Sequence, residues 1–220
     1  MSFDPTARAP QPGRRPLPPR QQPQPAEPAW VPPGRAPAAP ERGSAGAAAV
    51  LIAVVIGALV AVGLGVYANV HKPTGYAFNI AGFSSAPSVK SWLATVAIIL
   101  AVCQLISAFA MYGLLPGIKA PPWIGKAHVW TGRLAVLVTV PVAVHCLYAL
   151  GFKTYDTRVL AHSLLGCFFY GAFVTKMLLL TRKGLPGWMI PVVGGLVFFG
   201  LVFVWLTSAL WFFQTQGVKL

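Results

Sequence analysis

The chain has 220 residues, is 56% hydrophobic and carries a formal net charge of +13. Apolar stretches long enough to cross ~30 Å of hydrocarbon recur through its last three quarters, which excludes an ordinary soluble domain and implies an all-α, multi-pass membrane protein. The charge does not signal nucleic acid: the basic residues lie in a tail or at span ends, where lipid phosphate is the nearest anion.

Residues 1–44 hold 13 of the 21 prolines and six arginines. Phrases such as "RRPLPPRQQPQPAEP" cannot build a core, so a disordered cytoplasmic tail is expected, held near anionic lipid by its arginines or recruiting a partner. No short apolar core of a cleavable signal peptide occurs within the first 30 residues.

Five apolar segments follow, at Ala45–Val70, Val89–Leu115, Ala127–Leu150, Val159–Leu180 and Met189–Phe213. Each is long enough to span as a helix, and the breaker-rich connections "HKPTGYAFNIAGFSSAPS", "PGIKAPPWIGK", "GFKTYDTR" and "RKGLPGW" separate them. Spans two to five are expected to form a four-helix bundle with the first packed outside it. Trp92, Trp123, Trp188 and Trp211 fall near span ends, as interfacial indoles do. The tail and the two connections on its side carry 12 basic residues against 5 on the other side. The positive-inside rule then places the N-terminus in the cytoplasm and the C-terminus, with the Asp156 loop, outside a bacterial plasma membrane.

In the first span Gly57, Ala61 and Gly65 recur every four residues, a stripe suited to close packing within the bundle or against another copy in an oligomer. Cys103, Cys146 and Cys167 all lie in apolar segments without a CxxC or CxxCH pattern, which argues for buried thiols and against covalent c-type haem. None of the four acids, Asp4, Glu27, Glu41 and Asp156, falls inside a span. With no evident inverted repeat, a solute transporter is disfavoured.

The chemistry concentrates in "VAVHCLYALGFKTYDTRVLAHSLLG", residues 142–166, where His145 and His162 flank one short polar loop. If the third and fourth spans form a tight antiparallel hairpin, both imidazoles lie about one turn, ~6–8 Å, inside the boundary. Two imidazoles at one depth can hold a haem iron between them. Arg158, four residues before His162, shares its face and suits haem propionates. Gly166, one turn below, leaves room for a porphyrin, and Tyr148, Phe169 and Tyr170 offer flat walls. The competing reading is that the histidines tie helices together by bonding a hydroxyl or a carbonyl. Zinc is disfavoured for lack of further ligands. His128, in "AHVWTG", repeats the A-H-x-x-x-G pattern of "AHSLLG" in the opposite leaflet. It is a candidate for a second haem with Met177, a quinone contact or an interfacial hydrogen bond. His71 reads as interfacial.

On "KAHVWTGRL", "VAVHCL" and "AHSLLGCFFYGAF", covering about residues 126–174, the chain resembles the superfamily of membrane-embedded b-type cytochromes and ferric-reductase-like transmembrane domains. It is similar, too, to an uncharacterised group of short bacterial multi-span membrane proteins. The resemblance implies a haem-binding helical core, with ligand roles on His145 and His162 and with His128 as a further candidate. It implies haem b, with quinone or a redox protein as partner, and a part in electron transport. The chain departs from the two-haem pattern by lacking a second clear pair, and it has no flavin or nicotinamide domain, so a self-sufficient ferric reductase is not expected. A cofactor-free structural or accessory subunit of a membrane complex is the alternative.

Overall fold

The computed structural model describes residues 42–76 and 83–219. The tail expected over residues 1–44 lies almost wholly outside the described residues. The described residues form helices and turns without a strand: α1 (Arg42–Val70), α2 (Ala86–Met111), α3 (Ile124–Val144), α4 (Thr157–Leu180), α5 (Met189–Trp205) and α6 (Trp211–Gln216). A π turn at His145–Leu150 prolongs α3, and a second at Leu206–Leu210 joins α5 to α6. Five apolar segments of 24–28 residues result. At about 1.5 Å per residue each exceeds the hydrocarbon thickness. Leu59, Val62 and Leu137 are more than 60% exposed on their outer faces. A multi-pass membrane protein follows.

Local chemistry sets the ends. The Ser85 hydroxyl caps α2 by accepting from Ser88 N at 3.3 Å, and Pro87 sits in its first turn. Asp156 caps α4 by accepting from Val159 N at 2.8 Å. Gly151 stops the third span with φ +75, where an added Cβ would stand 3.0 Å from both Ala68 O and Pro73 Cγ. That close approach lets Phe152 N donate to Ala68 O at 2.8 Å, fastening the loop to the end of α1.

Spans two to five share one core, in which Ala97 and Ala101 of α2, Phe169 of α4 and Leu201 of α5 pack with Val138 of α3. Within it α3 packs on α2, and α4 on α5. The α3–α4 seam is open: the two backbones stay apart and are bridged by side chains, Tyr170 reaching across to donate to Thr139 Oγ1 at 2.9 Å. The tight hairpin expected there is not formed.

The first span lies outside this bundle, against α4. An added Cβ on Gly57 would overlap the Thr175 hydroxyl and stand 2.5 Å from Gly171 O, and one on Gly171 would stand 2.8 Å from Ala61 Cβ. The small-residue stripe therefore meets α4 of its own chain, backbone against backbone, and is not left free for a second copy.

Candidate functional site

At the Asp156 end the open seam widens into a cavity of about 330 Å³ lined from all six helices, from the first π turn and, through Ser208, from the second. Phe169, Tyr170, Trp205 and Trp211 supply apolar walls, and Lys90, Lys153 and Arg158 supply cations. Wide turns in helices occur often at functional sites, and here both border one cavity.

His162 stands in the wall. Its Nδ1 is 3.2 Å from Thr207 Oγ1, whose own proton goes to the Phe203 carbonyl at 2.7 Å, with Val204 O at 3.1 Å. With that proton spent, Thr207 accepts from the ring. The ring proton therefore sits on the side facing the fifth span, and Nε2 keeps its lone pair. A histidine oriented through one nitrogen and basic at the other is arranged as metal-binding histidines are.

Arg158 shares that face, as its spacing predicts. Its Nη1 donates to the Thr207 carbonyl at 2.6 Å, its guanidinium lies 4.0 Å from the Trp211 ring centroid, and Nη2 is 3.8 Å from Asp156 Oδ2. The Asp156 contact is long and exposed, hence weak. Lys90 has no acidic partner among the described residues. Gly166 is also in the wall, and a Cβ there would meet nothing within 4 Å.

The structure does not bring His145 to this place. Val142, Ala143, Cys146 and Leu147 line the cavity, whereas His145 does not. Successive helical side chains turn by about 100°, so a wall built from its neighbours leaves His145 on another face. The clamp expected between His145 and His162 rested on a tight α3–α4 hairpin; the seam is open instead, and only His162 lines the cavity. Of the expected flat walls, Phe169 and Tyr170 line the cavity, but Tyr148 stacks on His71 instead.

His128 lies at the opposite end. Its Nδ1 is 2.8 Å from Ser107 Oγ, and its carbonyl accepts from Gln104, whose amide also donates to Thr131 Oγ1 at 2.7 Å. These bonds tie α3 to α2. Met177, considered as its partner, is 47% exposed on the lipid side. His71 is sandwiched between Tyr67 and Tyr148, with centroids 5.1 and 4.9 Å away, and its Nε2 is buried without a hydrogen-bond partner. All three cysteines are free thiols. Among the described residues no three His, Cys, Asp or Glu side chains gather as a metal site would require.

Thr207 and Lys90 were missed in the sequence. Thr207 had a signal: with Ser208 it is a polar pair inside the apolar run "VWLTSALW". Lys90 had none beyond its charge.

No curated protein and no solved structure matches the chain. Residues 50–220 match the model of a family of unknown function, DUF6529, and the chain belongs to that family.

Proposed function

We propose that the protein is a b-type cytochrome-like membrane component, holding one haem b in the cavity at the Asp156 end and serving electron transfer as part of a larger redox system. The observation that carries this reading is the oriented imidazole: His162, held through Nδ1 by Thr207, stands in the wall of a cationic, aromatic-lined cavity, and protonation at Nδ1 would leave Nε2 free to bind a metal. The residues present fit the group. His162 would hold the iron, Arg158 and Lys90 would pair with the carboxylates of the group, and the open space beside Gly166 would leave room for it. When bound, haem supplies a one-electron carrier inside the membrane. The chain's own residues fix its position and shield it from water.

By the excess of basic residues on the tail side, the Asp156 end faces away from the cytoplasm of a bacterial cell. A cavity at one face cannot span ~30 Å of hydrocarbon, so a redox protein, or a quinone near His128, completes the path.

A second reading has its own observation. His128 and His162 each bond a hydroxyl on another helix, and His71 stacks between tyrosines of α1 and the first π turn. A cofactor-free accessory subunit of a membrane complex uses histidines in this way.

Spectra of detergent-purified protein loaded with haemin separate the two. The cytochrome reading expects sharp b-type bands on reduction, lost in His162→Ala and kept in His145→Ala and His71→Ala. A folded wild type without such bands overturns it in favour of the accessory subunit.

A further inference from the structure

We propose that the cavity opens sideways into the bilayer, through a portal between α1 and α4 plugged by Phe152, and that it takes up a membrane-dissolved amphiphile with an acidic head and an apolar body. This rests on the cavity and its walls, not on the group assigned to it above.

Two concavities meet at one partition. The second is a furrow of about 450 Å³ on the outside of the bundle, lined by Val62, Gly65, Asn69, Leu164 and Phe168 among others. Phe152 and Cys167 line both furrow and cavity. Helix spacing explains why the partition is thin. At Gly57 an added Cβ would overlap Thr175, and at Gly171 it would stand 2.8 Å from Ala61 Cβ. At Gly65, two turns nearer the Asp156 end, the nearest atoms are Cys167 Sγ at 3.8 Å and Phe152 Cε2 at 4.0 Å. The two helices are locked below and diverge above, and the gap between them is filled by side chains alone.

Each side of the partition suits one part of an amphiphile. The furrow is walled by the first and fourth spans, with Phe152 and Thr154 of the loop at its upper end, and its flanks Val62 and Leu164 are 62% and 54% exposed, so its lower part meets acyl chains. The cavity carries Lys90, Lys153 and Arg158, and no acidic residue lines it. Lys90 has no acidic partner among the described residues, and an acidic head would supply one. A small anion from water has no use for the furrow, whereas an amphiphile uses both.

The test uses the full-length protein in phosphatidylcholine vesicles containing phosphatidylglycerol with a mid-chain diazirine. After irradiation, adducts are mapped by peptide mass spectrometry. Adducts are expected at Phe152 and Cys167 as well as at Val62 and Leu164. At the first pair the acidic probe should be favoured about thirtyfold over the same chain on a phosphatidylcholine head, the effect of two nearby cations. Gly65→Leu, which fills the furrow, should abolish the Phe152 and Cys167 adducts and spare the others, while Phe152→Ala should raise those at Cys167. Competition by haemin at Phe152 and Cys167 assigns the portal to haem as well as to phospholipid. Indifference to haemin assigns it to phospholipid alone and leaves the haem reading to the spectra of the His162 variant. Adducts confined to Val62 and Leu164, or inner adducts indifferent to Gly65→Leu and to head charge, overturn the proposal.

Discussion

Replacing Gly57 by alanine tests the α1–α4 contact on which both cavity and portal depend. The new Cβ would overlap Thr175 Oγ1 and lie 2.5 Å from Gly171 O. An ordinary contact is ~3.5 Å or more, so the helices must part by about 1 Å. Overpacking of that kind costs about 1–3 kcal/mol. Alanine recovers up to ~1 kcal/mol over glycine in a helix interior, leaving a net loss of roughly 1–2 kcal/mol. Gly65→Ala is the matched control, since its Cβ would come no closer than 3.8 Å to a neighbour. It keeps the propensity gain without the clash and should be neutral or stabilising. The assay is unfolding in mixed micelles by titrated sodium dodecyl sulfate, followed by circular dichroism, with light scattering to record oligomer mass. Equal stabilities for the two variants, or a change of oligomer mass in Gly57→Ala without a change in unfolding, would refute intrachain use of the stripe.

Other outcomes follow from the site. Thr207→Val removes the acceptor that orients His162 and should lower haemin affinity about 10–100-fold by spectral titration. The same variant should lose about 0.6–1.7 kcal/mol of stability, as interhelical hydrogen bonds in membranes do. Gly166→Leu points a side chain into open space, so haem retention should fall while the unfolding midpoint holds. Gly151→Ala meets both a positive φ and Ala68 O, and should cost roughly 1–3 kcal/mol in the same unfolding assay.

The spans were legible because twenty or more apolar residues between breaker clusters leave few alternatives. Their ends moved by a few residues where a cap or glycine decides: α2 begins at Ala86, behind Ser85, and ends at Met111, with Gly113 at φ +67 beyond. The shared face of Arg158 and His162 followed from helical spacing and is present. Helix adjacency was legible only in part: the bundle of spans two to five with the first outside it is present, but the α3–α4 neighbourhood is not as expected. Equal depth for His145 and His162 presumed that sequential spans pack, whereas α3 lies on α2 and α4 lies on α1 and α5. Gly57 and Ala61 announced a close contact, but its partner, Gly171, is known only once the helices are placed. Hydrophobic periodicity also carries no mark of a π turn, so the α4 side of the cavity could be drawn from the sequence but the side bordered by the wide turns could not.

Both wide turns carry a structural demand. Within a bilayer, backbone groups must be satisfied by the protein itself, and an unbroken α-helix does this without outside help. Here donors come from elsewhere. Arg158 donates to the Thr207 carbonyl at 2.6 Å, and Gly75 N to the Ala149 carbonyl at 3.0 Å, the latter from the segment that follows α1. The two compensations use unrelated parts of the chain, so neither is a by-product of the other. A bundle that needed only to span the membrane could run both helices straight and dispense with a guanidinium beneath the boundary. What the wide turns border is the space that Lys90, Arg158 and His162 line, and that cationic space is the reason to seek the function there rather than at His128, whose Nδ1 ties α3 to α2 through Ser107.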